Sequence, residues 1–202
     1  MSLDNEKGQG LIEMLIAIAI ILTAVVGGLT LMVASFNANR ESEFRTVAAN
    51  LAREAVEICK NERNSTWLNG AVFESWFTNP DLDYSAVPVF DEVAGEWTLD
   101  FFPDDISDPE ARVFSYTIGD YSGLMNNFNA LDSEETKYRR MIYFNPICWD
   151  AANSAEHMIS DGEICAPDEV IGVKIRAITE WQDRGTTHDV DLELRLYNWR
   201  YR

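Results

Sequence analysis

Across residues 8–39 one side chain can carry a charge, the carboxylate of Glu13. Its surroundings suit lipid: residues 14–39 hold no charge and no proline, and most are Leu, Ile, Val, Ala or Met. An ionised carboxylate in such a setting costs a few kcal/mol unless something neutralises it. The chemistry open to Glu13 is therefore charge pairing, and Lys7 lies just outside the run.

The other reactive side chains form no recognisable catalytic pattern. Adjacent acids such as Asp104 with Asp105, or Glu134 with Glu135, are what any acidic chain contains. There is no GxSxG, GxxxxGK[ST], HExxH or EF-hand pattern, so no enzyme is expected. His157 and His188 read as solvated residues of a loop and a turn. In "DFFPDDISDPE", Asp100, Asp104, Asp105, Asp108 and Glu110 offer hard oxygen ligands of the kind Ca²⁺ takes, although their spacing matches no specific motif and a solvated acidic turn is the favoured reading. No other cofactor is indicated. The three cysteines include no CxxC pair, which leaves no zinc pattern. If the region containing them lies outside the cytoplasm, Cys148 and Cys165 can close a disulfide contributing about 2–4 kcal/mol. Cys59 is left over on an apolar helix face, where a thiol acts as a small hydrophobe.

Charge narrows the partners. The net charge is −18, and residues 65–169 hold 21 acids against 4 bases, a balance of −17. An acidic exterior repels phosphate backbones and anionic head groups, so a nucleic-acid groove has no support. A basic partner is compatible, and so is simple solubility.

These residues must be positioned by elements that the hydropathy pattern predicts. About 20 apolar residues cross a bilayer as a helix. The run after Glu13 is too long for a secretory signal, whose apolar region is about 7–15 residues. Beyond Asn39 the helical period persists in Phe44, Val47, Ala48, Leu51, Ala55, Ile58 and Cys59, with Thr46, Arg53, Glu57 and Lys60 on the opposite side. Residues 11–63 are thus expected to form one rod of roughly 80 Å at 1.5 Å per residue, broken by "NERNSTWLNG".

Gly8, Gln9, Gly10, Leu11, Ile12 and Glu13 together resemble the cleavage and methylation signal of type IV prepilins and type II secretion pseudopilins. The resemblance implies a cut between Gly8 and Gln9, which makes residues 1–8 a leader and puts Glu13 fifth in the mature chain. A cut after Gly10 would put it third. It further implies N-methylation of Gln9 by the prepilin peptidase, and pairing of Glu13 with the N-terminal amine of a neighbouring subunit. Such a pair fixes axial register, because misregistered neighbours leave both charges stranded. The chain departs from the family in having Gln9 where Phe or Met is common, Thr30 where major pilins carry proline, and a leader in which Asp4 and Glu6 offset Lys7.

From Val72 onward the period is mostly two, which predicts strands near 96–102, 112–118 and 138–144. The last segment is clearer. In "VIGVKIRAITEW", Ile171, Val173, Ile175 and Ala177 alternate with Lys174 and Arg176; "QDRGTTHD" turns; "VDLELRLYNW" alternates Val190, Leu192, Leu194 and Leu196 with Asp191, Glu193 and Arg195. This predicts a hairpin with one dry face, set against the helix stripe. The expected fold is α+β and pilin-like: residues 9–38 the membrane and filament-core half of the helix, 39–63 its amphipathic half, and 64–202 a β-rich head on an antiparallel sheet. The six tryptophans are expected mainly in packing.

The expected role is a structural subunit, major or minor pilin or pseudopilin. It would be held single-pass in the bacterial inner membrane, then polymerised with like subunits into an extracytoplasmic filament or surface structure. The competing reading is a membrane-anchored extracytoplasmic binding domain that does not polymerise.

Overall fold

The computed structural model describes residues 5–77, 84–91, 95–101, 105–118, 121–126, 133–159, 163, 165 and 169–198. The chain divides into two units, 1–44 and 45–202. Helix α1 (Asn5–Leu68) contributes residues to both. It contains no proline and is uninterrupted at Gly27, Gly28 and Thr30.

Helix α1 ends in a Schellman cap. Gly70 takes φ 70°, the Ala71 N–H donates to the Thr66 carbonyl at 3.1 Å, and the Gly70 N–H to the Trp67 carbonyl at 3.2 Å. The helix therefore overruns the break expected at residue 63. The reason is Trp67, which is buried with its ring 6.2 Å from that of Phe73 and the Arg63 guanidinium 4.6 Å above it. That burial outweighs the modest helix propensity of the Asn-Ser-Thr stretch.

The 45–202 unit is built on β5 (Glu134–Asp150). Strands β1 (Ser85–Asp91), β2 (Glu96–Phe101), β3 (Arg112–Ile118), β4 (Tyr121–Asn126), β6 (Ala155–Met158), β7 (Glu169–Asp183) and β8 (Thr186–Tyr197) complete an eight-stranded sheet. Every pairing among the described residues is antiparallel. One edge of β5 bonds β7, which bonds β8; its other edge meets β3, β1 and β6 in turn along its length. β2 pairs β1, and β4 pairs β3.

The terminal hairpin turns more tightly than expected. Asp183 pairs with Thr186, leaving the two-residue turn Arg184-Gly185 with φ 50° and 80°. This is the primed geometry that matches strand twist. A bulge also changes the predicted dry face: Ile147 pairs with Gly172 and Cys148 with Val170, so Ile171 is the extra residue. Side-chain parity flips there, and Val170 rather than Ile171 packs toward the helix.

On the helix side, Ala52, Ala55, Val56 and Cys59 of α1 meet Ala86, Ile142, Phe144, Val173, Ile175, Ala177 and Leu196, with Trp76 and Phe77 closing one end. Small helix residues against large strand residues allow close approach. Val190, Leu192 and Leu194 are partly buried against the same cluster. A smaller core of Ile106, Ala111, Met141 and Ile178, flanked by Tyr143, covers the outer face. The result is the expected α+β, pilin-like arrangement, with a helix packed on an antiparallel sheet. Strand 138–144 proves to be part of the much longer β5. Phe102 of the predicted 96–102 strand lies outside the described residues, as does Trp199.

Candidate functional site

Gly8 and Gln9 fall within α1, and Glu13 follows about one turn later, exposed and without an ion pair among the described residues. From Gly10 to Phe36 every position is exposed, including sixteen large apolar side chains that reach 73% for Leu31. By length and composition this stretch suffices to cross a membrane. Its two threonine hydroxyls are satisfied within the helix: Thr23 Oγ1 donates to the Ala19 carbonyl and Thr30 Oγ1 to the Val26 carbonyl, both at 2.8 Å. Glu13 is the one ionisable side chain in the stretch.

Residues 3–29 match a family profile described as the prokaryotic N-terminal methylation motif. The chain carries a prepilin-type signal. This is the cleavage and methylation signal of type IV pilins and pseudopilins, and it supports a pilin-like subunit processed by prepilin peptidase. No curated protein and no solved structure was found to match the chain.

The head carries a polar node that the sequence pattern does not announce. Arg140, on the helix side of β5, is 0% exposed. Its Nη1 donates to Glu54 Oε2 at 2.6 Å and to the Leu51 carbonyl at 3.3 Å, while Nε donates to Asn126 Oδ1 at 2.8 Å. The amide of buried Asn126 donates to the Ala111 and Arg140 carbonyls, both at 3.1 Å. Burial lowers the Arg140 pKa, and Glu54 opposes that shift. One guanidinium thus ties α1, β4 and β5 together and fixes where the helix lies on the sheet. The only available sequence signal was an arginine at an even position of β5, in phase with Ile142 and Phe144.

Cys148 on β5 and Cys165 are bonded, with Cα atoms 5.7 Å apart. Inside the closed loop, β6 pairs back on β5, and the Tyr84 hydroxyl donates to the Glu163 carbonyl at 3.2 Å. Cys59 is free and buried, and burial pushes its thiol pKa well above the ordinary range. That state suits packing and disfavours nucleophilic chemistry.

The acidic loop bonds mainly to itself. Asp108 Oδ2 accepts from the Asp105 N–H at 3.1 Å, and Asp105 Oδ1 from the Ser107 N–H at 2.9 Å. Arg139 Nη1 donates to the Ile106 carbonyl at 3.2 Å and to the Ser107 carbonyl, so two of the loop's carbonyls already face a cation. Asp100 lies on β2, opposite Val87, and Asp104 lies outside the described residues. No group of three acids or other ligands able to hold a metal occurs among the described residues. His157 is exposed inside the Cys148–Cys165 loop, as expected, on β6 opposite Cys148, whereas His188 lies on β8 instead of in the turn, its ring stacked 5.3 Å from that of Trp181. Trp67, Trp76 and Trp181 are buried in packing.

Proposed function

We propose that this chain is a filament subunit, a major or minor pilin or pseudopilin of a type IV pilus-like or type II secretion fibre. Prepilin peptidase cuts between Gly8 and Gln9 at the cytoplasmic membrane face, and the new amine of Gln9 is methylated. The helix then holds the protein single-pass in the bacterial inner membrane until assembly lifts the head outside the cell. The role is structural.

One observation carries this reading: a prepilin-type signal over residues 3–29 coincides with a helical stretch whose apolar side chains find no cover among the described residues. Burying sixteen such side chains is worth on the order of 20–30 kcal/mol. Lipid supplies that burial before assembly and neighbouring helices supply it afterwards. Glu13 chooses between the two environments. In lipid its charge is stranded, whereas a neighbouring subunit's N-terminal amine neutralises it, so the pair favours polymer and sets axial register.

Mass spectrometry of the membrane-resident protein tests the processing step. The expected N-terminus is residue 9, carrying one added methyl group. A mature protein that retains residues 1–8 refutes the proposal and leaves an anchored, non-polymerising domain.

A further inference from the structure

Strand β8 spans twelve residues and, among the described residues, pairs only with β7. Its hydrogen-bond phase is fixed at both ends. The two-residue turn makes Asp183 and Thr186 a bonded pair, and the Asn198 N–H donates to the Ile171 carbonyl at 2.8 Å. Even-numbered residues from Thr186 to Leu196 therefore face their backbone groups to β7, and odd-numbered residues turn theirs outward. An unpaired edge of this length is a template for another strand.

The side chains along the edge sort by face. Toward the helix side, Val190, Leu192 and Leu194 are only partly buried. On the outer face, Asp191 accepts from Arg176 Nε at 2.5 Å and Glu193 lies 2.5 Å from Lys174 Nζ, so β7 already neutralises both acids. The other two charges are Asp189 and Arg195, both exposed, and neither has an ion pair among the described residues. Each stands opposite a like charge on β7, Asp189 against Glu180 and Arg195 against Lys174. Their counter-charge has to come from elsewhere.

Asp189 and Arg195 cannot serve each other within one chain, because six residues of strand hold them about 20 Å apart. A dyad through Leu192, normal to the sheet, brings them together between two chains. It runs two β8 strands antiparallel, pairs outward-facing backbone groups with one another, and keeps matching faces on the same side. Asp189 of each copy then meets Arg195 of the other. On the helix side, Val190 meets Leu194 and Leu192 meets its own equivalent. Asp191 and Glu193 also come opposite each other, but each brings its own cation, Arg176 or Lys174. Neighbouring registers fit less well. A dyad at Asp191 opposes Asp191 to itself and Asp189 to Glu193. A dyad at Glu193 opposes Glu193 to itself, leaves Asp189 beside Tyr197, and gives Arg195 to Asp191, which already has Arg176.

We propose that the β8 edge is a self-complementary surface through which two copies of this chain join their sheets, strand to strand, about a dyad at Leu192. The joined backbones complete each other's outward N–H and C=O groups. The two Asp189–Arg195 contacts select the register, and the apolar row from Val190 to Leu194 gains cover. The dyad also turns residues 45–68 of α1 end for end, so the contact joins copies that meet from opposite directions. It needs neither processing nor assembly through α1.

The test uses the full chain in detergent micelles, with association read by sedimentation equilibrium at matched solvent density. The chain should form a dimer. Asp189→Arg and Arg195→Asp each turn both Asp189–Arg195 contacts into like-charge contacts, and each should raise the dimer dissociation constant at least about ten-fold. Mixed together, the two variants should associate about as tightly as the unaltered chain, because each supplies the charge the other lacks. Leu192→Cys should cross-link two copies under mild oxidation, since opposed Cα atoms at that position lie about 4.5 Å apart. A monomer at every concentration reached overturns the proposal. So does a dimer that both charge variants leave intact, which assigns association to the apolar stretch of α1. Failure of the mixture to recover, or absence of the Leu192→Cys cross-link, overturns it by removing the Asp189–Arg195 register.

Discussion

Two stretches of α1 place similar side chains in opposite situations. Residues 11–36 leave every large apolar side chain more than two-fifths exposed, whereas Ala48, Leu51, Ala52, Ala55, Val56, Ile58 and Cys59 are all buried. The contrast does not come from helix propensity, because both stretches are helical. It comes from where the cover originates. The later stretch alternates a stripe with polar positions such as Arg53 and Glu57 and receives a sheet from its own chain. The earlier one is apolar around its whole circumference, and no single sheet can cover a cylinder on all sides. A helix of that kind needs a solvent of lipid or several other helices.

This contrast can be broken most severely at its one charge. Glu13→Ala should leave membrane insertion unimpaired and abolish or nearly abolish filaments, read by electron microscopy of sheared surface material. Normal filaments would show that assembly does not rely on that pair. In the later stretch, Glu54→Ala strands a fully buried guanidinium and should cost about 3–5 kcal/mol in denaturant unfolding. Glu57→Ala, three residues on, removes only an exposed pair with Lys60 and should cost under about 0.5 kcal/mol. Similar values for the two would mean that Arg140 has another counter-ion. A third pair of substitutions sharpens the comparison directly. Ala55→Leu pushes into the packed sheet and should destabilise the head by about 1–3 kcal/mol, while Ala24→Leu should not move head unfolding at all.

The smallest expected effect is in pH. Glu62, Glu74 and Glu180 are partly buried, and burial first, then a neighbouring acid (Glu96, Glu169 and Asp189), raises their pKa. The folded state holds these protons more tightly than the unfolded chain, so the head gains stability as pH falls from neutral toward the ordinary carboxyl value of 4.5 and loses it as pH rises through the raised values. Asp150 and Glu193, held below that value mainly by hydrogen bonds from Asn153 and Lys174, act in the opposite sense at lower pH. A melting temperature that climbs on mild acidification, with a flatter climb in Glu62→Gln, is the expected result. A fall over the same interval would contradict it.

Much of this was legible in residue patterns. The uncharged run, the stripe from Val47 to Cys59, β3 and the last hairpin follow from periods of 3.6 and 2, which burial imposes directly. β1, β4 and β6 were not predicted as strands. β1 carries a proline, β4 contains Gly123 and Asn126, and β6 is exposed throughout, so none shows a clean alternation. β4 pairs with the neighbouring β3 and β6 with the neighbouring end of β5, while β1 reaches β5 across a long sequence separation, so their place follows from pairing rather than from a period of their own. The Arg140 node was equally hidden, since charge in a strand normally signals the wet face. Its position is intelligible only once Glu54 and Asn126 are known to converge there. At the N-terminus the reverse holds: the candidate signal is local, six consecutive residues, and needs no fold to be read.

The placement of β5 also governs timing. Its partners are drawn from residues 85–183, so the strand that joins them cannot be satisfied until nearly all of the chain has emerged. Pairings between such distant parts of a chain are slow to form. During that interval the stripe around Ala52 and Cys59 waits uncovered.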